Sequence, residues 1–464
     1  EKELFKGLKI MSLEKEWIRY PVIHIDLSLA KDQANADELR NTLMWILKPY
    51  TKVYGHAEEE TSPGKLLNGI IIRAEEQTGK QVVVLVDEYD SPLLDVLHEN
   101  MMLDDMRKVM QEFYTPLKAN ERHIRFCFIT GITKFSQLSI FSTINNLMNV
   151  TMDPKFSSIC GITEEELTTV LHEDIERLAE AYEETPDLMH SRLKRHYDGY
   201  HFSENSPELY NPFSLLKAFL QKKIASYWFE SGTSTYLVRQ LQHFHTDIMS
   251  LEHLEVMSSS FDLPTENMED ALPLLYQAGY LTIKDYDRKT EVYTLSFPNN
   301  EVRTGYARGL IPSYLGLKIR DTQGFTIRFW RALNNGNIAG LPYVEGFKKK
   351  LEDVATAEGF YEYTFYLLFT SFNDMVQTQV KCAQGRTDLV IFMPDTIYVM
   401  ELKVNDTAQS ALDQINVKGY ATPYQSDGRR VVKIGIRFNT ITRTIDEWIT
   451  QPRQEDSGVS PQHG

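Results

Sequence analysis

Residues 385–404 read GRTDLVIFMPDTIYVMELKV, two apolar runs joined at Pro394-Asp395. A strand presents alternate side chains to opposite faces, so Asp388, Val390 and Phe392 lie on one face of the first strand and Val399, Glu401 and Lys403 on one face of the second. A symmetric loop that pairs Met393 with Thr396 carries Asp388 directly opposite Glu401. Opposed residues have Cβ atoms roughly 5 Å apart, and like charges there are destabilising. A hard divalent cation held by oxygen ligands would offset the repulsion. Lys403, further along the face, could hold a water or a phosphate. Ordinary ion pairs on a surface hairpin are the other reading, and the pattern alone leaves both open. A slip of one residue would part the carboxylates.

The chain has 464 residues, enough for roughly three domains at about 150 residues each. Its hydrophobic fraction of 42% and aromatic fraction of 11% can build real cores. The formal charge of −16 counts against binding nucleic acid by bulk charge alone, though not against a local basic groove. Cys127, Cys160 and Cys382 lie far apart, with no CxxC pair, so neither a zinc ribbon nor a disulfide framework is expected. A reducing, cytoplasmic compartment fits. No apolar run is long enough for a membrane span, and no signal peptide is visible. The chain opens on Glu1, as a fragment of a longer protein would.

Strands and helices alternate at first. YPVIHIDLS (20–28), QVVVLVDEYD (81–90) and HIRFCFITG (123–131) read as strands, separated by helical patterns over 35–49, 63–78 and 101–119. That alternation implies a parallel sheet with right-handed crossovers. Thr163 and Glu166 form a capping box. From about 190 helical patterns dominate, and 271–303 reads as a helix followed by a hairpin, compatible with a winged-helix module or a helical lid. After a boundary at 336–345 come a helix (about 345–372), strands over 376–382, 387–393 and 396–404, a helix (about 406–421) and a strand over 431–439. The tail from 451 is polar, with the composition of a disordered end.

VVVLVDEYD ends a strongly apolar strand in Asp87-Glu88. In phosphate-loop NTPases such a strand ends at the nucleotide, where the Asp helps to hold Mg²⁺ and the Glu can polarise water. Thr130, at the tip of the next strand, suits sensing of the terminal phosphate. Acidic turns also end many ordinary strands. GxxxxGK[ST] itself is absent from these residues; SPGKLL (62–67) and QTGKQV (77–82) lack its spacing.

VVVLVDEYDSPLL, FCFITGITKFSQLSIFSTINNL, YDGYHF and YNPFSLL occur in the order found in the bacterial AAA-ATPase-like family that carries a C-terminal PD-(D/E)XK nuclease domain, and the chain resembles that family from residue 1 to about 450. The resemblance implies an α/β protein: a parallel-sheet ATPase core lacking its phosphate loop (1–190), a helical, winged-helix-like connector (191–335) and a restriction-endonuclease-like α/β domain (336–450), before a disordered tail (451–464). The loop would lie upstream of residue 1, so ATP is implied for the longer protein. The nuclease motif falls on Asp388 and Glu401-Leu402-Lys403, with Mg²⁺ or Mn²⁺ between the carboxylates. Gln414 matches a recurring Gln on the following helix, and Glu358 an acid that opens the superfamily's first helix, with Glu362 as a weaker alternative. An exposed helix Gln and a helix-start acid favoured by the macrodipole are their ordinary readings. Gln379 stands where members often carry Glu. The implied partner is nucleic acid, DNA in particular, with no membrane role; a homo-oligomer stays open. Arg386 and Lys403 make one end of the hairpin cationic beside its acidic level. His243 and His245 could share a strand face and bind metal, though a pair without further ligands is more often structural; HEDIE (172–176) is not HExxH, and 347–353 reads as a solvated helix face that could also touch a DNA backbone.

Overall fold

The computed structural model describes residues 2–94, 96, 100–134, 147–230, 241, 244, 249–264, 268–315, 327, 331, 376–382, 385–393, 395–404, 406–439 and 444–452. Two compact units divide the chain: Glu1–Val150 with Ser258–Ala278, and Thr151–Met257 with Gly279–Gly464. Among the described residues no helix is long and apolar enough to cross a membrane.

The first unit holds a three-stranded parallel sheet of β1 (Val22–Asp26), β2 (Val82–Asp87) and β3 (Ile124–Ile129), in that order. Helices α1 (Ala36–Tyr54), α2 (Pro63–Thr78) and α3 (Asn100–Ala119) connect the strands. Asn35 starts α1 by accepting the N–H groups of Asp37 and Glu38, and Gly79 ends α2 in the left-handed region, where a side chain would be strained. One stripe of each helix is buried with Ile23, Ile25, Val82, Val84 and Val86 in a single core. The alternation of strand and helix in the sequence is thus read correctly. α1 runs five residues beyond the expected end, through Pro49, because its core-facing spacing continues.

In the second unit Thr163 and Glu166 form the expected capping box at the start of α4 (Glu164–Thr169). The helices α5 (His172–Ala181), α6 (Pro186–Tyr197) and α7 (Pro212–Gln221) share an apolar cluster. A small antiparallel sheet follows, of β4 (Leu254–Val256), β5 (Thr282–Asp287) and β6 (Val292–Ser296), in the order β4-β6-β5. The hairpin of that sheet is the expected one.

Beyond it, α8 (Asn300–Leu315) precedes a five-stranded mixed sheet of β7 (Val376–Cys382), β8 (Gly385–Phe392), β9 (Thr396–Val404), β10 (Arg430–Asn439) and β11 (Thr444–Pro452), in the order β11-β10-β9-β8-β7. β9 and β10 run parallel, joined by α9 (Ala408–Val417); the other pairs are antiparallel. A strand covered on both faces reads as a continuous apolar run, which accounts for TIYVMEL in β9. Thr407 caps α9 by accepting the Ser410 N–H at 3.0 Å. Ala408, Ala411, Leu412 and Ile415 of α9 are buried, Leu412 and Ile415 in one core with Val390, Ile397 and Val399. β11 is a strand that the residue pattern does not single out; it pairs with β10 with a shift at Arg437/Phe438.

Gly435 is what lets α9 lie close to the sheet. A Cβ there would sit 2.1 Å from the Ala408 carbonyl oxygen and 2.8 Å from the Leu412 nitrogen, both backbone atoms. Gly435→Ala must therefore push α9 outward. Equilibrium denaturation is expected to show a loss of about 1–3 kcal/mol; unchanged stability would mean that α9 does not approach β10 this closely.

Candidate active site

β8 and β9 pair in the register of a symmetric loop: Leu389 faces Met400, Val390 faces Val399, Ile391 faces Tyr398 and Phe392 faces Ile397. The next step outward brings Asp388 and Glu401 to the same level. The Asp388 carboxylate, half-buried, accepts the Leu402 N–H at 2.8 Å, so it is turned onto β9 at the motif itself. Thr387 donates to the Met400 carbonyl oxygen at 3.2 Å and ties the same stretch of hairpin.

Glu401 is 1% exposed. It shares its strand face with Ile397 and Val399, the face that packs against α9. Gln414 projects from α9 and donates through Nε2 to Glu401 Oε1. The same Nε2 lies 3.4 Å from the Tyr420 hydroxyl. Lys403 Nζ is 3.6 Å from Glu401 Oε1, and its side chain is part-exposed. Glu401 Oε2 is buried and has no hydrogen-bond partner among the described residues. Burial first, and the neighbouring Asp388 charge second, push the Glu401 carboxyl up to about 8, while Lys403 acts in the opposite direction.

A buried carboxylate oxygen with no partner is costly, and so are two acids at one level of a hairpin. A divalent cation would satisfy both. Mg²⁺ keeps several waters and is often bound by one or two carboxylates, which is the donor set that Asp388 and Glu401 offer. Among the described residues no group of three or more His, Cys, Asp or Glu gathers around a single point. Glu358 and Glu362 lie outside the described residues, as do His243 and His245. For Gln379 and Arg386 the strand positions in β7 and β8 are described, but not the side chains.

At the carboxyl ends of the parallel sheet in the first unit, Asp87, Glu88 and Thr130 come together. Thr130 Oγ1 donates to Asp87 Oδ1 at 2.6 Å, and the Glu88 N–H donates to the same oxygen at 3.0 Å. Glu88 Oε2 pairs with Lys31 Nζ at 3.2 Å, and Glu88 takes a φ of +52°, uncommon for a side-chain-bearing residue. Asp26 sits beside Asp87 in the β1–β2 register. Asp90 is the residue that sequence reasoning missed. Fully buried, it accepts the Thr133 N–H and hydroxyl at 2.6 Å each and the Ile132 N–H at 3.2 Å. Gly131 leaves room for this turn, since a Cβ there would lie 2.4 Å from the Tyr89 ring. The signal was the last acid of DEYD, whose spacing turns it inward. Tyr420 was missed as well, because only tertiary packing brings it to Gln414.

The raised Glu401 pKa has a consequence for stability. The unfolded chain releases this proton near the ordinary value of 4.5, whereas the folded chain keeps it until about 8. Across that window the native state binds more protons, so this group's effect on stability declines as pH rises. In EDTA, Glu401→Gln is expected to remove the decline and to melt above wild type at pH values beyond 8. Parallel melting profiles for the two proteins would show that Glu401 is not held protonated.

Two family models match parts of the chain. Residues 1–141 match the family model described as a predicted AAA-ATPase, and residues 356–448 match the PD-(D/E)XK nuclease superfamily. A protein of Azotobacter chroococcum, described as an uncharacterized protein in the vnfD 5′ region, is 28% identical over 465 residues, covering 97% of this chain and 86% of that protein. No solved structure matches the chain. The chain therefore carries an AAA-ATPase-like domain in its first part and a PD-(D/E)XK nuclease superfamily domain in its last.

Proposed function

We propose that the last domain is a Mg²⁺- or Mn²⁺-dependent endonuclease acting on DNA, coupled to the AAA-ATPase-like domain through the connector, with domains over 1–190, 191–335 and 336–450. The reading rests above all on the buried, unpartnered Glu401 Oε2 at the level of Asp388. Asp388 and Glu401 would hold the cation, joined by Glu358. When bound, the cation would neutralise charge on the scissile phosphate and lower the pKa of a coordinated water.

The chain's own residues have distinct parts in this scheme. Gln414, bonded to Oε1, would hold the Glu401 carboxylate in place and leave Oε2 for the cation. Lys403, at the mouth, places a positive charge where the phosphate develops negative charge, or fixes the attacking water. The apolar layer between the sheet and α9 keeps solvent from Glu401. Asp87, Glu88 and Thr130 would act on Mg²⁺ and the terminal phosphate of ATP in a protein that also carries a phosphate loop.

A second reading is binding and regulation without cleavage, favoured by Gln379 in the place of an acid. Incubation with linear, circular and single-stranded DNA in Mg²⁺ or Mn²⁺ separates the two. Cleavage by wild type, reduced on the order of a hundredfold or more in Lys403→Ala and Glu401→Gln, is expected. Equal background nicking by all three proteins would remove catalysis, and salt-dependent binding without cleavage would establish the second reading.

A further inference from the structure

The run TGITK (130–134) follows β3 and is bonded at its start, middle and end. At its start the Thr130 hydroxyl is spent on Asp87, the Thr130 N–H donates to the Val86 carbonyl oxygen at 2.9 Å, and the Thr130 carbonyl oxygen accepts the Tyr89 N–H at 2.9 Å. In its middle Asp90 accepts the Ile132 and Thr133 N–H groups, and the Tyr89 hydroxyl donates to the Thr133 carbonyl oxygen at 2.9 Å. At its end the Lys134 N–H donates to Gln277 Oε1 at 2.6 Å, while Lys134 Nζ donates to the Asp262 carboxylate at 2.9 Å and to the Asp262 carbonyl oxygen at 3.1 Å. A buried carboxylate such as Asp90 is costly without its donors, so the turn resists bending and shifts as a unit.

Asp262 and Gln277 lie 128 and 143 residues further along the chain. Asp262 follows the short helix Ser258–Phe261, and Gln277 ends the short helix Leu272–Gln277. Gln277 Nε2 donates to the Leu263 carbonyl oxygen at 2.7 Å and to that of Phe261 at 3.3 Å, which turns Oε1 towards Lys134. Phe261 is buried, and its ring meets Tyr276 edge-on with centroids 4.5 Å apart. Both stretches fall within Ser258–Ala278, which belongs to the first unit. In the chain, however, β4 precedes them and β5 follows, and both are strands of the small sheet in the second unit. Gly279, the next residue, has a φ of +79°, a conformation that favours glycine.

We propose that Lys134 is a positioning residue that ties the Asp87–Thr130 pair to the segment between β4 and β5, so that the first domain signals to the connector through the TGITK turn. The inference rests on the reading that Asp87 and Thr130 face a nucleotide and that the connector couples the two domains. The Thr130 hydroxyl has two competing uses: it is bonded to Asp87, and it would have to leave that bond to meet a terminal phosphate. Leaving it frees the start of the turn, and a stiff turn carries the shift to Lys134. Asp262 and Gln277 follow, because a charge-assisted bond and an amide bond hold them to Lys134. The link is reciprocal: whatever free energy the pair exerts on the segment, the segment exerts on the pair.

The test is hydrogen–deuterium exchange of the chain in the absence of nucleotide and DNA, so that a failure of this link and a failure of the nuclease reading are told apart. Thr130→Val removes the bond to Asp87 and is expected to raise exchange in peptides covering 258–264 and 272–278 by about fivefold or more. Thr130→Ser, which keeps the hydroxyl, is expected to match wild type. In the Lys134→Met background, Thr130→Val is expected to add nothing further in those peptides. Lys134→Met alone is expected to raise exchange over 129–133 by a similar factor, a reading that stands even if Thr130→Val does not fold. Exchange over 258–264 and 272–278 that stays at the wild-type value in Thr130→Val, effects that add in the double variant, or exchange over 129–133 that ignores Lys134→Met would each overturn the link and leave the turn a structural brace.

Discussion

Repulsion between Asp388 and Glu401 is the constraint around which the last domain is arranged. Neither acid can relieve it by moving to solvent: Glu401 lies on a central strand under α9, and Asp388 is tied to the Leu402 N–H. The metal-free protein relieves it by holding a proton on Glu401 well above the ordinary carboxylate range. A cation can take the place of that proton. On the proposed reading, a hard ion would relieve the same burial that makes the site costly to fold, a trade common where function needs a strained or frustrated group.

The fold supplies the burial by a specific device. β9 and β10 are parallel, so a crossover helix must return over the sheet, and α9 does so on the face of Glu401. Gly435, the neighbour of Glu401 on β10, lets the helix backbone come down onto the strand. That close approach brings Gln414 within reach of the carboxylate. Glu447 then holds the first turn of α9 from the far strand. Sheet register, one glycine and one helix cap together fix the position of a single oxygen atom.

Much of this is legible in the residues because it depends on short-range periodicity. The hairpin register follows from alternation and the Pro-Asp loop, and the buried stripe of α9 from its helical spacing. The parallel sheet of the first unit follows from strand and helix patterns in alternation. Other features depend on long-range pairing that no local pattern carries. Tyr420 acquires meaning only when the turn after α9 folds back to Gln414. Asp90 reads as one more acid in a turn until the loop after β3 encloses it. β11 escapes notice because TIDEWITQP mixes charged and apolar positions without the clean alternation of an edge strand.

The most direct test of the central interaction is a crystal grown with Mn²⁺ near pH 8 and examined for anomalous scattering. A single peak between the Asp388 and Glu401 carboxylates, absent from Glu401→Gln, is the predicted result. A wild-type crystal without that peak, or with the two carboxylates turned to different sides of the hairpin, would contradict the account.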